Sequence, residues 1–487
     1  MKRIVLWITL AAIALSAGHY CTTATAGKNQ ALREQPGKAA VATGIQDQRG
    51  VALTIYNSDL GLVKDTRSIR LADGVHELRF MDVATGIIPT SVHIKSLTSP
   101  GAFQVLEQNY EYDLLSPARL LDKYVGKEVK LATKDPDTGK EKIVTATLLS
   151  NNDRPVFKIG NDITFDYPGR IIFPGVPENL ISKPTLVWLV KNSGASQQDV
   201  EASYLTNGIN WSSDYVVTLN DNDDRADLTG WVTIDNRSGA TYKDASLKLV
   251  AGDVNRVSSS YGRRENAYME VAPAASASQF KENAFFEYHL YTLQRPATIK
   301  DNQTKQISLV QANNIKVKEE LIYEADPYYY RQYMGQLSDQ KVGAFIEITN
   351  NKDNGLGIPL PKGTIRVYKK DKDRSLQFIG EDTIDHTPKD EKFRIKLGDA
   401  FDVVAGRKTL DWKKLGADTY EATYEISLRN HKEKDVTVRV IEPIAGDWTI
   451  LGSSHAYKKT DASTAEFDVR VPNNKEVKVT YTVLMRF

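Results

Sequence analysis

The chain has 487 residues, of which 41% are hydrophobic, with 63 Lys and Arg against 62 Asp and Glu. A formal net charge of +1 removes the electrostatic case for nucleic acid or an anionic membrane surface as partner. A single cysteine, Cys21, excludes an internal disulfide framework, and the length suggests about three domains of roughly 150 residues each.

Lys2 and Arg3, an apolar run over 4–17 and Ala24-Thr25-Ala26 before Gly27 follow the order of parts in a secretory signal peptide. Residues 1–26 are therefore expected to be removed on export, leaving the protein in the periplasm or cell envelope of a bacterium. The apolar run is shorter than the roughly 20 residues that span a bilayer, and no later segment comes close, so no transmembrane span is expected after cleavage. Cys21 falls inside the signal peptide, and His19 and Tyr20 stand where lipid attachment needs small residues. Cleavage removes two of the 63 basic residues and no acidic one, leaving 61 against 62, a charge of −1.

Residues 27–50 are polar and aperiodic and read as a disordered leader. An N-terminal β domain is expected over 51–180. Its strand-like runs cover 51–56, 60–71, 75–80, 91–97, 103–110, 129–133 and 143–149, with Asp135-Pro136-Asp137-Thr138-Gly139 as a hairpin turn between the last two. One short helix fits 117–124, where Ser116 caps the free amides, Pro117 suits the first turn and Gly126 follows as terminator.

A central unit is expected over 183–325. Leu186, Trp188 and Val190 share one face of its first strand, and Tyr215, Val217 and Leu219 alternate with Val216 and Thr218. The run 228–234 alternates in the same way, and Ala245, Leu247, Leu249 and Ala251 repeat at period two. That is the signature of a sheet with one buried face. The small-residue, polar segment 258–284 interrupts the pattern and reads as a flexible insertion. A third unit over 340–487 contains strand-like runs at 364–368, 420–428, 436–441, 466–471 and 477–487. Regularly spaced strands without intervening helices give the fold class: all-β, multi-domain antiparallel β-sandwiches of immunoglobulin-like character.

Several separated motifs carry a resemblance. SYLTNGINW, DYVVTL and LTGWVTIDNRSGATYKDASLKLVAGDVNRV, with YDLLSPARLLDKYVGKEV and PGRIIFPGVPENLISKPTLVW upstream, resemble exported bacterial proteins grouped as domain of unknown function 4139, some of them labelled mucoidy inhibitor-like. The resemblance covers most of the chain after residue 26 and implies a β-rich envelope protein. It supplies no catalytic or ligand residues to carry over, and this chain lacks the sustained heptads of the mucoidy inhibitor-like members.

The best site expectation is a tyrosine-rich segment, YEADPYYYRQYMGQ, in which Tyr328, Tyr329, Tyr330 and Tyr333 crowd around Arg331, with Tyr323 just before them. Tyrosine offers rigid contact area with a polar tip, which makes these residues the candidates for a surface that binds a glycan or an envelope protein, although packing of the rings at the junction between the second and third domains is the preferred reading. Asp221, Asp223, Asp224 and Asp227 cluster as Ca²⁺ ligands can, but without the loop glycine and distal Glu of an EF-hand, and between two strands such residues are ordinary turn formers. The six histidines after residue 26, His76, His93, His289, His386, His431 and His455, have no metal-ligand spacing. No Gly-x-Ser-x-Gly elbow or phosphate loop is present. No metal and no cofactor is expected.

The alternation of Val477, Val479, Tyr481, Val483, Met485 and Phe487 fits either the last strand of an outer-membrane barrel or a closing hairpin with 466–471 through Pro472-Asn473-Asn474-Lys475. The short, charged strands elsewhere favour the hairpin. Sequons stand at Asn210, Asn236 and Asn302. The expectation is thus an exported, non-catalytic binding, scaffold or assembly protein of the cell envelope. The alternatives are an envelope hydrolase with a carboxylate site built from loops, and an outer-membrane-associated β protein.

Overall fold

The computed structural model describes residues 40–487 except 137, 178–179, 253, 256–278 and 286–287. The expected signal peptide, residues 27–39 of the leader and most of the 258–284 insertion lie outside the described residues. The alternating runs form strands as the pleat requires. Ile209–Leu219 and Arg225–Asn236 bury every second side chain, and Leu186, Trp188 and Val190 are fully buried on Thr185–Asn192. The helix Pro117–Tyr124 begins where Ser116 Oγ accepts the Arg119 amide and ends before Gly126, whose φ of 79° suits glycine.

The strands build four sheets among the described residues. A five-stranded sheet, with Glu141–Ser150 at its centre, carries the helix and its own small core around Leu131, Leu148 and Phe157. A four-stranded sheet runs in the order Ala40–Thr43, Gly74–Met81, Thr185–Asn192, Phe103–Glu111. An eight-stranded sheet places Tyr242–Ala251, Gln48–Tyr56, Leu60–Arg70 and Gln197–Thr206 side by side. The fourth, thirteen-stranded sheet contains Ile209–Leu219 near one end and Lys475–Arg486 near the other. Two large cores are enclosed: one gathers residues between Val51 and Ile395, the other lies between Leu321 and Met485.

The all-β, sandwich-like architecture agrees with the alternation, and several finer expectations are corrected. The sheets cross the domain boundaries drawn at 180–183 and 325–340. Thr185–Asn192 pairs with Gly74–Met81 and Phe103–Glu111, Gln197–Thr206 pairs with Leu60–Arg70, and Ile209–Leu219 pairs with Gly363–Lys370. Periodicity tells which face of a strand is buried, not which strand lies beside it. The expected leader 27–50 is too long, because Ala40–Thr43 is already a strand; with Ala40 and Ala42 exposed and Thr43 the buried residue, it has no apolar period to read. Phe280–Phe285 likewise makes a strand inside the expected insertion.

Four ladders are parallel rather than antiparallel among the described residues, those of Ala40–Thr43 with Gly74–Met81, Ile209–Leu219 with Gly363–Lys370, Tyr242–Ala251 with Gln48–Tyr56, and Gln303–Glu324 with Val436–Pro443. Parallel neighbours need long connections, and these pairs join segments far apart in the chain. At Gly363 the approach is so close that a Cβ would stand 2.1 Å from the Ser213 carbonyl oxygen, which explains a glycine there. The expected closing hairpin is absent. Thr464–Val471 pairs with Val436–Pro443, whereas Lys475–Arg486 pairs with Thr419–Asn430 and Asp447–Ser453, so the turn through Asn474 (φ 52°) steps from one ladder to another.

Two long strands join the large cores. Gln303–Glu324 pairs with Arg225–Asn236 along its first part and with Gln336–Thr349 and Val436–Pro443 along its last. Lys392–Lys414 does the same between Gln336–Thr349 and Thr419–Asn430.

One buried asparagine device recurs at four strand ends. Asn192 Nδ2 donates to the carbonyls of Leu71, Ala72 and Ala195, and its Oδ1 accepts the Gly194 amide. Asn236 spans the carbonyls of Ala240, Ile299 and Lys300, Asn350 those of Ile358, Thr387 and Pro388, and Asn430 those of Lys434, Val471 and Pro472. Each stitches the turn after its strand to a second segment and pairs carbonyls that burial would otherwise leave unpaired. Asn236 is fully buried, which removes its sequon as a glycan acceptor.

Candidate binding cleft

The tyrosine segment divides between core and surface. Asp326 accepts the Tyr328 amide and starts the single 3-10 turn Pro327–Tyr330, and that turn points Tyr330 inward. Tyr330 is fully buried, its hydroxyl 2.7 Å from that of Tyr481 and its ring edge-on to Tyr424 at 5.3 Å. Tyr323 is buried as well, and Tyr329 is half-buried with its hydroxyl donating to Gln340 Oε1. Of the candidate surface residues, Tyr328, Arg331 and Tyr333 face solvent. The expectation of a five-residue surface therefore fails at Tyr330, because a one-turn helix separates the two faces of a run that looks uniform as text.

Beneath this segment lies a charged cluster that the sequence reading missed. Arg407 Nη1 is 2.7 and 2.6 Å from the two carboxylate oxygens of Glu442, and Tyr481 donates to Glu442 Oε2 at 2.7 Å. The guanidinium sits over the rings of Tyr424 (4.2 Å), Tyr330 (5.0 Å) and Tyr329 (5.6 Å). Burial pushes the Glu442 carboxyl up, and the hydroxyl of Tyr481 works against that shift. Burial works against the Arg407 charge, but Tyr481 and Tyr323 outweigh it and hold the group above its ordinary value. The cluster is closed to solvent and serves the core. Its signal in the sequence is positional: Arg407 follows Val403 and Ala405, and Glu442 follows Val438 and Val440, each on the buried phase of its strand.

A recess that faces solvent, a cleft of about 870 Å³, lies at one end of the thirteen-stranded sheet and is lined by Asp221 and Asp227 of the aspartate cluster. One wall is the turn between Ile209–Leu219 and Arg225–Asn236, with Asn220, Asp221, Arg225 and Asp227. The opposite wall is the turn after Gly363–Lys370, with Lys369, Lys370, Asp371, Lys372 and Arg374, and Asn314 of Gln303–Glu324, the strand beyond Arg225–Asn236, also lines the cleft.

Local chemistry fixes the first wall. Asn220 Oδ1 accepts the Asp224 and Arg225 amides, Asp223 takes a φ of 61°, and Asp227 accepts the Asn314 amide at 2.8 Å. Lys369 Nζ reaches across to Asp223 Oδ1 at 2.6 Å. The carboxylates thus act as turn and strap residues, and among the described residues no group of three His, Cys, Asp or Glu is placed to hold a metal ion.

On the second wall, the side-chain amide of Gln377 and the backbone amides of Ser375 and Asp373 hold the Asp371 carboxyl below the usual carboxylate range. Lys370, Lys372 and Arg374 make no ion pair among the described residues. The six histidines remain scattered over separate strands and loops.

The profile of the family described as Domain of unknown function (DUF4139) matches residues 200–487. No curated protein matches the chain. The matched segment includes the cleft, the tyrosine segment and the Arg407–Glu442 pair.

Proposed function

This chain belongs to the DUF4139 family, and from that premise we propose that it is an exported, non-catalytic binding or scaffold protein of a bacterial cell envelope. The observation that carries the reading is the open cleft between hairpin tips. Loops gathered at the end of a sandwich present side chains from separate strands to a partner, while the sheets behind hold them in place. Its carboxylates at Asp227 and Asp371 are engaged by backbone amides, which suits a fixed recognition surface. The signal-peptide pattern over 1–26 supports export.

The nine-residue edge strand Phe103–Glu111 adds a second contact surface. It ends the four-stranded sheet, most of its side chains are exposed on both faces, and it carries no Lys or Pro to discourage pairing.

The test is fractionation of cells expressing the full chain, followed by photo-crosslinking from Lys372 and from Leu106. Recovery of the shortened protein in the envelope fraction, crosslinked to one defined component, supports the proposal. Recovery of the uncleaved protein in the cytoplasm, or turnover of an envelope polymer by the purified protein, would overturn it.

A further inference from the structure

The cleft at the tips of Ile209–Leu219 and Gly363–Lys370 is balanced in charge, and the balance selects a class of ligand. The turn 220–227 carries four aspartates and one arginine, and the turn 369–374 carries three lysines and one arginine with two aspartates, so six carboxylates stand against five cations. The walls are also tied across the gap, where Lys369 Nζ reaches Asp223 Oδ1 at 2.6 Å. A strongly charged ligand attracted by one wall is repelled by the other.

Hydrogen-bonding capacity nevertheless remains on both walls. Asp227 commits Oδ1 to the Asn314 amide, and neither its Oδ2 nor the carboxylate of Asp221 makes a hydrogen bond among the described residues. On the other wall Lys370, Lys372 and Arg374 are exposed and form no ion pair among the described residues. One wall offers acceptors and the other donors. A hydroxyl both donates and accepts, so a ligand dense in hydroxyls can satisfy both walls without bringing charge to either.

Peptide recognition lacks what it needs here, an open strand edge or an apolar pocket. Ile209–Leu219, Arg225–Asn236 and Gly363–Lys370 are each paired on both sides, and the apolar lining residues Leu219 and Ala226 are buried. Aromatic contact comes from the rim instead. Thr218 lines the cleft, Tyr368 lies beside it and Phe378 opposite Tyr368, and directly paired residues project to one face. Phe378 meets Tyr368 edge-on at 5.6 Å and stays 54% exposed, which leaves ring surface for the C–H side of a sugar to pack on.

Resting on the binding reading above, we infer that the cleft binds an uncharged oligosaccharide. Its hydroxyls donate to Asp221 and Asp227 and accept from Lys370, Lys372 and Arg374, and one sugar ring packs on Phe378. The cleft volume of about 870 Å³ lies within the roughly 300–1,000 Å³ of small-molecule sites.

Surface plasmon resonance tests this with the full chain lacking only residues 1–26. The immobilised probes are oligomers of glucose, galactose, mannose and N-acetylglucosamine, beside galacturonate and glucosamine oligomers of equal length and an alternating Lys-Glu peptide. At least one uncharged oligomer is expected to bind more tightly than the three charged probes, with a Kd that added salt barely changes. Asp221→Ala, Lys372→Ala and Phe378→Ala should each raise that Kd at least about fivefold, the loss of one hydrogen bond to a charged group or of one ring contact. All three side chains are exposed, so the melting temperature should not move, and the remote Lys158→Ala should leave the Kd unchanged.

Failure of every uncharged oligomer, tighter binding of a charged probe, a Kd unmoved by the three substitutions, or an equal loss in Lys158→Ala overturns the inference. A protein crosslinked from Lys372 or Leu106 while every oligomer fails would sink the saccharide and leave the binding function standing; no crosslinked component and no binding would remove both.

Discussion

Arg407 Nη1 stands 2.6 Å from Glu442 Oε2, where neither side chain meets solvent and four tyrosines close the space around them. A charge placed there without its partner has neither water nor counter-ion. Arg407→Met or Glu442→Gln alone should therefore lower the free energy of unfolding by about 3–5 kcal/mol. The double replacement Arg407→Met with Glu442→Leu should recover most of that loss. Urea denaturation of the three variants checks it, and a double variant as weak as the singles would show that the charges themselves hold the core.

The asparagine stitches give a second expectation. Asn236 satisfies the carbonyls of Ala240 and Lys300 at 2.9 Å each, and its Oδ1 accepts both the amide and the hydroxyl of Ser238. Asn236→Ala leaves several buried groups unpaired and should cost at least about 2 kcal/mol. Hydrogen exchange should quicken first in the turn from Arg237 to Thr241, a local signature that a general packing defect would not give.

The divided tyrosine segment is tested by comparing neighbours. Tyr330→Ala empties a fully buried ring site and should destabilise by about 3–5 kcal/mol, whereas Tyr328→Ala should stay within about 0.5 kcal/mol of the parent. Equal melting temperatures for the two variants would contradict the burial of Tyr330.

Acid should weaken the fold through Glu319. Burial raises this carboxyl, but Lys432 and Lys434, each 3.3 Å away, overcome burial and hold it below its ordinary value. A folded-state pKa below the unfolded one means that the stabilisation is complete above the unfolded value, about 4.3, and is lost as pH falls through the folded value. Unfolding free energies measured from pH 6 down to pH 3 should decline, and Glu319→Gln should flatten that decline.

Much of the fold was legible because burial on one face writes itself as period two. Tyr215, Val217 and Leu219 announce their strand without help from the rest of the chain, and Ser116, Pro117 and Gly126 together specify a helix that short. What failed to appear concerns relations between strands. Nothing local to Ser213 or Gly363 says that they are neighbours, and the alternation of 466–471 and 477–487 suits a hairpin as well as the step between ladders that exists.

The binding surface was half legible. The aspartates drew notice as a cluster, but the cations opposite them lie some 150 residues away and read alone as a solvated turn. Arg407 and Glu442 escaped for the opposite reason: charged residues are normally outside, and here the phase of the strand, not the residue type, tells the truth.

The two strands that serve both large cores, Gln303–Glu324 and Lys392–Lys414, have a consequence for how the molecule comes apart. Melting one core strips the ladder from a strand that the other still needs, so heat should be absorbed in one cooperative peak rather than two. A pull applied at one end would be carried along continuous backbone from core to core, with no linker between them to yield first.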